Sequence, residues 1–270
     1  MAKSLLCLVF AAGGLMWPSA SKPLSAQIQY GRGQDVTPAF EGWQRNPDGT
    51  STMYFGYLNR NYEEEVDIPI GPNNTIEPGG DRGQPTHFYP RRQRFVFRVV
   101  VPMGWTVQQK VVWTLTVRGR TNKANGWLQP EWEVDNEVIM ENIGKGRDLD
   151  NKPPLVTGSG PQPVTLPNAA SLTVMAVDDG LPKPRPGQTN AGGVSIRWIQ
   201  YRGPGPVTFD PPSEPAVYGK PVTSRTEATF TVPGSYWLRA IASDGALETF
   251  HDVTVTVNPA AVRNTSKSYQ

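Results

Sequence analysis

An all-β chain of two β-sandwich domains in tandem behind a short leader is what this sequence predicts, on three observations. First, the stretch from Thr226 to Val257 alternates. Tyr236, Leu238, Ala240 and Ala242 occupy every second position, and Val253, Val255 and Val257 do so again beyond Asp244-Gly245. Such period-two alternation marks a strand with one dry and one wet face, and Gly tolerates the positive φ of a tight turn, so the stretch reads as a hairpin. Second, 270 residues hold 27 Gly, 27 Pro and 10% aromatics, too loop-rich for a helical protein and too aromatic for a disordered one. Third, at about 100 residues per sandwich the length accommodates two.

Taken in order, residues 1–26 have the form of a secretory signal. Lys3 supplies a positive start, Leu5 to Trp17 an apolar run, and Leu24-Ser25-Ala26 a small-residue exit. The run is too short for a comfortable membrane span, so no stable membrane insertion is expected after cleavage, and the chain is expected to be secreted, extracellular or periplasmic. Cleavage removes Cys7, the sole cysteine, and with it any disulfide, thiolate nucleophile or Cys metal ligand. The leader carries Lys3 and Lys22 and no acid, leaving 24 basic against 24 acidic residues. That balance argues against nucleic acid or an anionic membrane as partner.

The first domain is expected over 27–150. Asn46-Pro47-Asp48-Gly49 is a turn, Thr52 to Leu58 an aromatic-rich strand, and Val66 to Ile70 a short one. Gly71 to Pro90 shows no periodicity and reads as a long surface loop. Two strong strands follow, with Phe95, Phe97, Val99 and Val101 inward on one and Val111, Trp113, Leu115 and Val117 on the other. Pro153-Pro154 cannot continue a preceding element, which places a boundary near 150. In the second domain, 151–258, Leu172, Val174 and Ala176 alternate before Asp178-Asp179-Gly180, and Val194, Ile196 and Trp198 alternate after a Pro/Gly-rich loop, toward a count of seven strands. Residues 259–270 form a polar tail.

The second domain resembles a known family. Asn151-Lys152-Pro153-Pro154-Leu155-Val156, Thr165-Leu166-Pro167, Asp178-Asp179-Gly180-Leu181-Pro182, Trp198, Gly203 to Phe209, Thr229-Phe230, Gly234 to Arg239 and Ala242-Ser243-Asp244-Gly245 follow the order and spacing of a PKD-like domain, the polycystic-kidney-disease repeat type of immunoglobulin-like sandwich found in many secreted bacterial proteins. The commonest version follows the strand Trp with an acidic Gly-containing turn, whereas Trp198 is followed here by Ile199-Gln200-Tyr201-Arg202. The resemblance implies an immunoglobulin-like fold for this sandwich, and by extension two in tandem, serving as spacer or adhesion modules without catalysis. It also implies Trp198 packed across the core and Tyr236 as a corner tyrosine bonding back to the chain.

Few residues offer chemistry. His87 and His251 are the only histidines, and no G-x-S-x-G elbow accompanies them, so neither a Ser-His-Asp triad nor a zinc site is expected. Glu131, Glu133, Asp135 and Glu137 fall on alternate positions. In a strand they would share one face, as a charged sheet edge or, in a sharper reading, as the carboxylates of a hydrolase or cation site. Asp178, Asp179 and Asp244 end strands whose loops lie at one end of such a sandwich, where three carboxylates could gather calcium; Asp-Gly is also an ordinary turn former. Trp105, Trp127 and Trp132 lie near turns, and exposed Trp127 or Trp132 would suit sugar stacking if they are not core. Asn73-Asn74-Thr75 and Asn264-Thr265-Ser266 fit glycosylation sequons. The expectation is a secreted or cell-envelope, non-catalytic module, with no cofactor beyond the calcium candidate, that binds a protein or glycan on a cell surface. A carbohydrate-binding module and a hydrolase are the alternatives.

Overall fold

The computed structural model describes residues 29–142, 149–183 and 193–261. The expected leader and the sequon at Asn264 lie outside the described residues. The first lobe comprises β1 (Val36–Arg45), β2 (Ser51–Asn59), β3 (Val66–Asp67), β4 (Asn74–Glu77), β5 (His87–Phe88), β6 (Arg91–Val101), β7 (Val111–Val117) and β8 (Arg120–Gly126), then a 3-10 turn (Pro130–Trp132) and helix α1 (Asn136–Asn142). The second comprises β9 (Leu155–Gly158), β10 (Gln162–Thr165), β11 (Ala170–Val177), β12 (Val194–Arg202), β13 (Val207–Asp210), β14 (Ser213–Val217), β15 (Val222–Phe230), β16 (Gly234–Ser243) and β17 (Glu248–Asn258). Among the described residues the chain is all-β, apart from those two short helical turns.

In the first lobe a sheet of order β1-β2-β6 and one of order β4-β7-β8 enclose a core. Phe55 and Phe97 from the first meet Trp113 from the second edge-on, at 6.3 and 4.8 Å between centroids. Strand β7 obeys its alternation, with Val111, Trp113, Leu115 and Val117 all buried. Strand β6 obeys it only at Phe97, Val99 and Val101. Phe95 departs from its expected inward position because the pairing with β2 slips between Phe55 and Tyr57. Gly56 opposes the slip, and a Cβ there would collide with the carbonyl oxygen of Gln93. The resulting bulge holds Phe95 at φ 51 and re-aims its neighbours.

The expected surface loop from Gly71 to Pro90 is not one. It contains β4 and β5, and Asn74, Ile76, Gln84 and Phe88 are buried. Asn74 replaces periodicity as the organiser. Its amide donates to the carbonyls of Ile68 and Pro85 at 2.9 and 2.8 Å and accepts from the Trp113 indole at 3.0 Å. A side chain that satisfies three buried groups fixes irregular backbone without any apolar repeat.

The second lobe pairs a sheet of order β10-β17-β16-β12-β14 with one of order β13-β15-β11-β9. Among the described residues nine strands replace the expected seven because two edges change sheets midway. β9 pairs with β11 and β10 with β17, while β13 pairs with β15 and β14 with β12. Gly160-Pro161 and Pro211-Pro212 sit at the changes, where proline, lacking an N–H, cannot hold a ladder. Leu172, Val174, Trp198, Tyr236, Leu238 and Val255 are all buried between the sheets. Trp198 donates to the Ser224 hydroxyl at 3.0 Å, and the Tyr236 hydroxyl donates to the Val232 carbonyl at 2.7 Å, the corner that the resemblance implies.

The lobes meet in a seam built by Ile199 to Arg202, where the sequence departs from the family pattern. Tyr201 lies on β12 but belongs to the first lobe's core, 1% exposed. Its hydroxyl donates to the Gly83 carbonyl at 2.6 Å, and its carbonyl accepts from Thr86 N–H at 3.2 Å. The Gln200 N–H donates to the Tyr89 hydroxyl at 2.9 Å; burial pushes that hydroxyl up to about 12, so it stays protonated. Arg202 grips Asp81 with two hydrogen bonds of 2.9 and 2.8 Å.

Those bonds from Arg202 hold the Asp81 carboxyl below its ordinary 3.8. A depressed carboxylate contributes stability above its unfolded pKa that is lost as pH falls through the folded one. The gap in urea midpoint between the native chain and Asp81→Asn is therefore expected to be widest near neutral pH and to close below about pH 3.8. A gap independent of pH would refute a charged contact here.

Candidate functional site

The structure scatters some sequence candidates and gathers others. The row Glu131, Glu133, Asp135 and Glu137 shares no strand face, which corrects the expectation. Glu131 lies in the 3-10 turn that Pro130 begins, Glu133 follows it, and Asp135 precedes α1, its carboxylate accepting the Val138 N–H at 2.8 Å. Proline at a helical first position and aspartate as a cap are both helix-start signals that outweighed the alternating charges. His87 is buried, its ring nitrogens 2.7 Å from an Asp67 oxygen and 3.1 Å from a Glu65 oxygen. His251 Nε2 lies 3.0 Å from the Ser159 carbonyl. The two histidines thus sit in separate structural contacts.

At one end of the second lobe the turn after β11 and the turn between β16 and β17 converge with the chain entering at Asn151. Asp244 Oδ1 accepts the Ala246 and Leu247 N–H groups, both at 2.6 Å, the local bonding that makes Asp a turn residue. Asp178 Oδ2 accepts from Gly180 at 3.0 Å. Asp179 spends both oxygens on backbone, on Lys152 at 3.0 Å and Leu181 at 2.9 Å. Among the described residues, no three His, Cys, Asp or Glu side chains form a ready-made metal group. What the turns do assemble is a set of three buried oxygens without hydrogen-bond partners: Asn151 Oδ1, Asp178 Oδ1 and Asp244 Oδ2. Asp244 is 3% exposed and Asn151 4%. Burial, then the charges of neighbouring aspartates, push the Asp178 and Asp244 carboxyls above their ordinary values despite the backbone donors and, at Asp244, the Asn151 side chain. In the sequence Asn151 stands out only through the family resemblance; its place beside Asp244 shows only once the turns close on it.

Trp127 and Trp132 are brought together on the first lobe, and a residue that sequence reasoning missed, Phe40, joins them. Phe40 stacks on Trp132 at 5.5 Å and 17° and on Trp127 at 6.1 Å and 21°, with Trp132 42% exposed. Lys110 lies over the Trp127 ring at 5.6 Å. Trp105 instead packs against the core. The cluster is thus half core and half open ring.

No family model matches the chain, and no curated protein matches it. Solved structures to which it is similar include the PKD domain of human KIAA0319, at 17% identity, covering 45% of this chain and 96% of that one with a TM-score of 0.24. They also include the fibronectin(III)-like modules of Clostridium thermocellum CbhA, at 12% identity over 84% of this chain and 95% of that one, TM-score 0.27. The D00-D0 domain of Intimin matches at 11% identity over 83% and 99%, TM-score 0.27. Likenesses at this level say nothing of ligand or activity. Among the described residues no helix is long and apolar enough to cross a membrane.

Proposed function

We propose that the chain is a secreted or cell-envelope module that binds a protein or surface without catalysis. The observation that carries this is the seam: Tyr201, seated in the first core, ties the two sandwiches together and opposes the relative domain motion that is otherwise the default, so their surfaces are presented in constant relation. Capture of one saturable partner from cell-envelope extract by the immobilised protein is expected. Turnover of esters, glycosides or peptides by the purified chain, abolished by changing Glu131 or Glu133, would overturn it in favour of a hydrolase. A second reading, carbohydrate binding, is favoured by the stack of Phe40 under the open Trp132 ring. Trp132→Ala is the variant that removes it.

Calcium belongs to the same proposal. Hard cations take carboxylate and amide oxygens, and Asn151, Asp178 and Asp244 each keep one unpartnered. Binding to the folded chain alone raises its stability by mass action. The melting temperature is expected to rise by several degrees in millimolar calcium relative to EDTA, and Asp244→Asn to abolish the rise. No shift in the native chain removes the site.

A further inference from the structure

A cleft of about 960 Å³ separates the lobes beside the seam. Six arginines line it, Arg82, Arg92, Arg94, Arg98, Arg197 and Arg239, against two carboxylates, Glu248 and Asp252. Three of the six are answered. Arg239 makes two bonds to Asp252 at 2.7 and 2.9 Å, Arg92 pairs with Glu41 at 2.7 Å, and Arg197 lies 3.8 Å from Glu248. The other three form no ion pair among the described residues, although Arg94 also acts on the Glu41 carboxyl. Arg82 donates to the carbonyls of Pro78 and Val100, and Arg94 to that of Asn142 at 2.6 Å. Arg98, exposed on β6, has no hydrogen bond or ion pair among the described residues. Three guanidiniums without an ion pair among the described residues line one cleft, in a chain whose formal net charge is only +2, and make a local field that favours anions.

Resting on the binding-module reading above, we infer that this cleft takes an acidic oligosaccharide, its carboxylates met by Arg94 and Arg98 and a sugar face by the half-buried rings of Tyr54 and Phe95. Planar guanidiniums bind carboxylates in pairs of parallel bonds. The β6 bulge is what delivers them, since it turns Phe95 out of the core and sets it edge-on to Tyr54 at 5.8 Å. An acidic peptide is the competing occupant, and the geometry disfavours it. An extended peptide joins a sheet through free main-chain groups on an edge strand. On β6 the Val96 carbonyl is already taken by Arg239 at 2.6 Å and the Val100 carbonyl by Arg82 at 2.9 Å. Recognition is left to side chains.

The test is titration of the full chain with galacturonate oligosaccharides, with neutral gluco-oligosaccharides of equal length and with poly-glutamate as the other arms. Galacturonate is expected to bind and to weaken as salt rises. Arg94→Ala and Arg98→Ala should each weaken it about tenfold, Arg98→Ala without changing the melting temperature, and Trp132→Ala should leave it intact. Binding of poly-glutamate in place of galacturonate, equal binding of the neutral sugar, or galacturonate binding lost in Trp132→Ala but kept in Arg98→Ala each overturns the assignment. If no sugar binds while the envelope partner is still captured, this site fails and the module reading stands.

Discussion

Trp113→Ala is expected to cost about 3 to 5 kcal/mol of stability, near the top of the range for truncating a buried aromatic. Two losses combine. The indole, fully buried, contacts Phe55 and Phe97 edge-on and stacks on Phe88 at 6.2 Å and 25°, so its removal opens a cavity that three aromatic rings cannot close without leaving their rotamers. The same change leaves Asn74 Oδ1 without its donor in a dry interior, where an unpaired polar group costs about 1 to 3 kcal/mol. Trp113→Phe separates the two, since it fills most of the cavity and lacks the N–H. Urea unfolding should show a lower midpoint for both variants, larger for Ala, at unchanged slope. A loss below about 1 kcal/mol for Ala would mean that the first lobe is not organised around this ring.

Much of this was legible in the sequence. Alternation located β7, β11, β12 and β17 and their buried residues, because a strand with one wet face prints its burial directly; it also located β16, but not the burial of Arg239 and Ile241 on that strand's other face. The corner Tyr236 and the core Trp198 came with the family pattern. The gaps have physical reasons. Asn74 holds β4 and β5 through one amide, and a polar hub leaves no periodic trace. The bulge at Phe95 lies opposite Gly56, where any Cβ would meet the Gln93 carbonyl, a relation invisible to either strand alone. Alternate acids from Glu131 to Glu137 mimicked a strand face, while Pro130 and Asp135 were starting helical turns. The arginine cleft was hidden by arithmetic. Residues 27–150 hold 14 basic and 16 acidic side chains, and such a sum cannot show that Arg94 and Arg98 gather on one wall. The run Arg91-Arg92-Gln93-Arg94 with Arg98 was the signal available.

Tyr201→Ala is expected to split one unfolding transition into two and to cost about 3 to 5 kcal/mol. The side chain is carried by the second lobe and buried in the first, so it couples them as no residue within one core does. Truncation removes its ring from between Trp237, 4.9 Å away, and the Arg239 guanidinium, 3.8 Å above it, and frees the Gly83 carbonyl. Arg239 keeps Asp252 and Val96, and Arg202 keeps Asp81, but hydrogen bonds at a wetted seam are worth far less than in a dry one. Calorimetry should therefore resolve two peaks where the native chain gives one. Tyr201→Phe, which loses only the hydroxyl bond, should keep a single peak at a cost of about 1 kcal/mol. The cleft adds a second readout. Arg94 and Arg98 stand on β6 and Arg197 on β12, so its walls keep their spacing only while the seam holds. Loosening the seam should weaken galacturonate binding although no residue of the anion site has changed. A Tyr201→Ala chain that melts once, at the native temperature, would show the lobes to be coupled elsewhere.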